Sequence, residues 1–196
     1  MIPSGPARTA ARLARPALVA ALVVLGVTLA SGVVVHQAAT SPAVSAYEEA
    51  EGAVPDGATV FDDGVPAVAG LDADLLRALR RAAAAAAGDG VEFVVNSGRR
   101  SPAYQERLRL EAVARYGSAR EAARWVASPD RSLHVSGDAV DLGAAAAGWL
   151  SAHGAAYGLC QIYRNEPWHY ELRPKAVGRG CPRMYADPTR DPRLRR

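Results

Sequence analysis

His134, Asp141 and His169 are the side chains in this sequence best suited to sharing one metal ion. They lie in the strings SLHVSGDAVD (Ser132 to Asp141) and EPWHYE (Glu166 to Glu171). Two imidazoles and one carboxylate make a three-ligand zinc site, which leaves the fourth tetrahedral position for a water where a structural site would close it with protein. That donor set points to hydrolysis, with one zinc per domain as the expected cofactor.

The spacing sets conditions on the chain. On one straight helix, His134 and Asp141 would stand about 10 Å apart along the axis, too far to share an ion, so Gly137 between them must let the chain turn back. In a strand, His169 and Glu171 point to one face and Trp168 and Tyr170 to the other, which lets His169 face the site while the aromatics pack. Glu166 precedes His169 by one turn of chain, where a carboxylate reaches the attacking water rather than the metal; its expected role is general base, passing the proton on to the leaving amine. Glu171 is expected to orient an imidazole from behind. His153 reads as a packing or surface residue, and Asp138 as the weaker competitor of Asp141.

The elements that must position these groups can be read from capping and periodicity. Asp72 caps an alanine-rich helix over 73–87 that stops at Gly88 or Gly90. The β-branched run over 91–96 predicts a buried strand, which delivers SGRRS (Ser97 to Ser101) at its end. Pro102 starts a helix to about Tyr116, and Ser118 with Glu121 forms a capping box for another to Val126. A strand after Gly137, a helix over 144–157 and two antiparallel strands over 159–163 and 168–172 complete an α+β domain, a small antiparallel sheet covered by helices.

With these motifs in place, the chain resembles the VanY-type zinc D-alanyl-D-alanine carboxypeptidases, within the wider group that includes lysostaphin-like and hedgehog-like domains. The resemblance runs from about Val91 to Leu172 and rests on three ordered blocks: Ser97, Gly98, Arg100, Ser101 and Gln105; Ser132, His134, Gly137, Ala139 and Asp141; and Glu166, Trp168 and His169. It implies metal ligation by His134, Asp141 and His169, with Glu166 as base and Trp168 supporting the site. It also implies that Arg100 polarises the scissile carbonyl or holds substrate, and that Ser132, Ser101 and Gln105 bind substrate. A guanidinium suits the Arg100 role independently, since it offers fixed paired donors where negative charge develops. Arg99, Asp130 and Leu133 depart from the family pattern without removing a ligand or the base.

The implied reaction is removal of the C-terminal D-Ala from peptidoglycan stem peptides ending in D-Ala-D-Ala, on wall or lipid-linked precursor. Alternatives are an endopeptidase or D,D-dipeptidase acting on the same stems, and a non-catalytic wall-binding module.

Location follows from the N-terminal third. Arg8, Arg12 and Arg15 precede the apolar run from Ala17 to Val35, long enough at roughly 28 Å as a helix to cross a hydrocarbon core. The expectation is a basic cytoplasmic segment over 1–16, a membrane anchor over 17–35 and an exported domain, with a cleaved signal peptide as the alternative. Residues 36–60 read as a linker, 61–185 as the catalytic domain and 186–196 as a basic, solvated tail. An exported compartment permits a disulfide between Cys160 and Cys181, worth about 3 kcal/mol in the chain-entropy model.

The sequence carries 23 basic and 20 acidic residues, and setting the three anchor arginines aside leaves the rest neutral. No nucleic-acid partner is expected, and no protein partner is inferred.

Overall fold

The computed structural model describes residues 42–194, all within one compact unit. The expected membrane span over 17–35 lies outside the described residues, and among these no helix is long and apolar enough to cross a membrane.

Four short strands form one antiparallel sheet in the order β1-β2-β4-β3: β1 Val95–Ser97, β2 Ala139–Leu142, β3 Leu159–Gln161 and β4 His169–Leu172. Strand alternation sorts their side chains. Val140, Leu142, Tyr170 and Leu159 join one hydrophobic core with Leu75, Ala78, Leu79 and Ala82 of helix α3 (Ala73–Ala86) and with Ala146, Ala147 and Leu150 of helix α7 (Ala144–His153). Each fully buried leucine contributes about 1.5–3 kcal/mol. The opposite face carries Asp141, His169 and Glu171, and the register sets Asp141 directly across from His169 and Ala139 across from Glu171. The mixed helix and antiparallel-sheet architecture is the one the periodicity predicts.

Helix α3 is capped as expected, with Asp72 accepting from the backbone N–H groups of Asp74 and Leu75. The helix expected from Ser118 to Val126 is shorter. Ser118 caps Ala119–Ala122 (α5) through the Glu121 N–H, but the chain then leaves the helix. The irregular chain that follows is fixed by side chains from elsewhere, Asn165 donating to the Arg124 carbonyl at 2.8 Å and Gln105 to the Ala127 carbonyl at 2.9 Å.

Two stretches, one in the expected linker and one in the expected solvated tail, form short regular elements. Within the expected linker, Pro42–Glu51 forms helix α1; its Ala and Glu residues are strong helix formers, and its end is tied down where Ser101 donates its N–H to the Glu51 carbonyl at 2.8 Å and its hydroxyl to the Glu51 carboxylate. The segment after Tyr185 also packs: Asp187 and Asp191 are buried, each followed by proline at the start of a short 3-10 turn. Cys160 and Cys181 form the expected disulfide, with a sequence separation of 21, so the chain leading into that segment is held against β3.

Gly137 makes the turn that the His134–Asp141 spacing requires. It ends a one-turn helix, α6 (Leu133–Ser136), at φ +82°, and a Cβ there would sit 2.5 Å from the Gly70 carbonyl oxygen. Gly137→Ala is expected to cost at least the roughly 1–2 kcal/mol of a left-handed alanine, with the backbone contact adding to it. Thermal unfolding checks this, and a variant as stable as the parent would contradict it.

Candidate metal centre

Three elements converge on the polar face of the sheet. Helix α6 presents His134, β2 presents Asp141 and β4 presents His169, all three buried. The facing atoms are Nε2 of His134, Oδ1 of Asp141 and Nδ1 of His169, separated by 3.4 Å, 3.1 Å and 3.3 Å around the triangle. Zinc bonds of about 2.0–2.1 Å put tetrahedral ligand atoms about 3.3–3.4 Å apart. The donors therefore fit a single zinc with one position left over.

Each imidazole is oriented from behind. Nδ1 of His134 donates to the Gly98 carbonyl at 2.9 Å, which leaves the Nε2 lone pair toward the other ligands. Gly98 can present that carbonyl because it lies flat against Ala67, where a Cβ would fall 2.1 Å from the Ala67 oxygen. Nε2 of His169 donates to Glu171 at 3.3 Å, leaving Nδ1 for the centre. Asp141 divides its oxygens, Oδ1 facing the imidazoles and Oδ2 accepting from Arg100 Nη2 at 3.0 Å. Asp138, by contrast, is exposed and bonded to Ser136, and His153 is exposed against Trp149.

The electrostatics follow from burial and these partners. Burial pushes the Asp141 carboxyl up, but the two imidazoles beside it outweigh that and hold it well below the usual carboxylate range. Burial lowers His134. It would lower His169 too, yet the hydrogen bonds to Asp141 and Glu171 prevail and push that imidazole up to about 10. A proton and zinc thus compete for Nδ1 of His169. Between pH 8 and pH 6, zinc affinity is expected to fall about tenfold per unit, with about one proton released for each zinc bound; calorimetry in buffers of different ionisation enthalpy measures both, and a pH-independent affinity would contradict the competition.

Glu166 stands at the rim, its Oε2 3.8 Å from Nδ1 of His169. Its Oε1 is buried without a hydrogen-bond partner among the described residues, and burial pushes the carboxyl up to about 7. A buried orphan oxygen of this kind costs about 1–3 kcal/mol and marks a group awaiting a partner from outside the fold.

Arg100 reaches the site from the turn after β1, with Nε on Ser97 Oγ at 2.8 Å and Nη1 on Gln105 Oε1 at 3.0 Å. With Nη2 on Asp141, three of its five donors are engaged among the described residues, and two remain for a ligand. Arg100, Gln105, Ser132, Glu166 and Trp168 line one cleft with the three ligands. Gln105 is 1% exposed and bridges Arg100 to Ala127, so it acts on Arg100 rather than offering a free amide to substrate. Ser101 does not line the cleft; it caps helix α4 (Pro102–Tyr116) and anchors α1.

The sequence reading did not include Tyr163, Trp125, Pro188 and Leu194, which also line the cleft, or Asp191 and Arg193 behind Glu171. A signal for the last group is present: Asp187-Pro188 and Asp191-Pro192 are paired cap-and-N1 signatures, the mark of ordered turns rather than of a solvated basic tail.

Residues 69–175, more than half the chain, match the sequence model of the VanY D-alanyl-D-alanine carboxypeptidase family. No curated protein sequence matches. Among solved structures, VanYB in complex with D-alanine-D-alanine is similar at 29% identity and TM-score 0.51, over 55% of this chain and 75% of that one. A mutant of the vancomycin resistance D,D-pentapeptidase VanY from the VanB-type resistance cassette, in complex with Zn(II), has 30% identity and TM-score 0.48, over 52% and 72%. The LD-carboxypeptidase LdcB shares the fold at 24% identity and TM-score 0.51, over 64% and 70%.

Proposed function

This chain belongs to the VanY D-alanyl-D-alanine carboxypeptidase family, and from that membership we propose that it is a zinc-dependent metallopeptidase that removes the terminal D-Ala from peptidoglycan stem peptides ending in D-Ala-D-Ala. The observation that carries the reading is the buried, unpartnered Glu166 oxygen beside a three-ligand donor set that fits zinc. A binding module would have no use for a carboxyl held near pH 7 at that position.

His134, Asp141 and His169 would hold the zinc, which would supply Lewis acidity toward a carbonyl and a water. Glu166 takes the proton from the attacking water as the new C–O bond forms, and returns it to the amine of the departing D-Ala as the C–N bond breaks. The two remaining N–H groups of Arg100 can donate to the oxygen on which charge develops. Ser132 offers a hydroxyl to the substrate backbone, and Trp168, 39% exposed, supplies an apolar wall.

The Cys160–Cys181 disulfide supports work in an oxidising compartment outside the cytoplasm. The apolar run over 17–35 supports attachment to the membrane, near lipid-linked precursor and nascent wall. The test is incubation of the full chain with a pentapeptide stem ending in D-Ala-D-Ala, with and without a zinc chelator, followed by mass spectrometry. Loss of one alanine that the chelator stops is the expected result; an internal cut would assign an endopeptidase instead, and no cleavage by zinc-loaded protein would overturn the reading.

A further inference from the structure

Behind His169 lies a second layer of charge that the reaction above does not use. Glu171 is 1% exposed. Its Oε1 accepts from His169 Nε2 at 3.3 Å and from Arg193 Nη2 at 3.2 Å, while its Oε2 accepts from Arg193 Nη1 at 2.7 Å and from Arg173. Arg193 is held in turn by Asp191, which is fully buried. Asp191 Oδ1 accepts from the Arg193 backbone N–H at 2.9 Å and from Nε at 3.0 Å, and Oδ2 accepts from Arg193 Nη2 and from the Tyr163 hydroxyl at 3.0 Å. The circuit closes where the Tyr163 ring lies 5.1 Å from the ring of His169.

We propose that Arg193 is a positioning residue of the metal centre, which sets zinc affinity by fixing the carboxylate that orients His169. A lone glutamate behind an imidazole can rotate about its last torsion and offer the Nε2–H either oxygen or neither. The guanidinium fork spans both oxygens of Glu171 and pins their plane. With that plane fixed, the imidazole proton stays on Nε2 and the Nδ1 lone pair stays aimed at Asp141 and His134. Arg173 cannot substitute, because it reaches only Oε2. Arg193 also neutralises charge where Glu171 and Asp191 would otherwise face each other out of water. It touches neither substrate nor reacting atoms, and it lies beyond residues 69–175 that match the family.

This inference rests on the zinc reading of the site, and the experiment separates the two. Zinc dissociation constants are measured on the full chain by competition with a chelator of known affinity, for the parent, Arg193→Ala, Arg193→Lys and the exposed control Arg190→Ala. Arg193→Ala is expected to weaken zinc binding by about 10- to 100-fold. Arg193→Lys keeps the charge but not the fork, and is expected to weaken it by about threefold or more while melting, in chelator, like the parent. Arg190→Ala should match the parent. If Arg193→Ala does not fold, Arg193→Lys decides; zinc affinity within twofold of the parent in every folded Arg193 variant would overturn the proposal. A folded parent that binds no zinc would overturn the metal-centre reading and this inference with it.

Discussion

Glu166→Gln is expected to lower turnover of a D-Ala-D-Ala stem by about 100- to 10,000-fold while zinc remains bound at one per chain. The amide keeps the shape of the side chain and can still hydrogen-bond, but it cannot accept a proton at neutral pH. Glu166 belongs to none of the three facing donor atoms, so metal content should not change. Burial of this carboxyl, 5% exposed with one oxygen unpaired, makes it a poor stabiliser of the fold; the glutamine variant should melt no lower than the parent. Steady-state assays with metal analysis measure both halves. Turnover within tenfold of the parent would remove Glu166 from the role of base, and loss of zinc would make it a ligand.

Asp141→Ala should strip the metal and destabilise the domain together. One oxygen of Asp141 faces both imidazoles and the other holds Arg100 at 3.0 Å, with both side chains only 12% exposed. Removing the carboxylate leaves a buried guanidinium with its charge uncompensated, a loss of about 3–5 kcal/mol in comparable pairs. Two imidazoles alone hold zinc too weakly to retain it against a chelator. The expected outcome is metal-free protein with a lowered unfolding midpoint in denaturant and no measurable cleavage. Zinc retained after dialysis against chelator would place the third ligand elsewhere.

The ligands were legible in the sequence because their signals are local. His134, Gly137 and Asp141 fall within one turn and the start of one strand, and alternation in the EPWHYE string already separates His169 and Glu171 from Tyr170. Helix α3 was legible for the same reason, through its Asp72 cap and its leucines. What escaped was set by contacts distant in sequence. The irregular chain after helix α5 is fixed by Asn165 and Gln105, which donate to the Arg124 and Ala127 carbonyls from other parts of the chain. Ser101 follows the substrate-binding pattern in sequence, yet its hydroxyl turns to α4 and α1, a choice that depends on where Glu51 docks. Arg193 looked like one more solvated cation, and only the burial of Glu171 and Asp191 gives it partners.

The direct pairing of Asp141 with His169 across β2 and β4 makes the sheet a gauge for the metal cage. A slip of one residue between these strands would turn every side chain of the moving strand to the other face, sending one ligand into the apolar core and a core residue into the cleft. Val140 and Tyr170, paired on the far side of the same strands and fully buried, resist that slip from the core, as the Arg100–Asp141 and Arg193–Glu171 pairs do from the site. Core residues that never approach the reaction thereby help to keep Asp141 and His169 opposite each other.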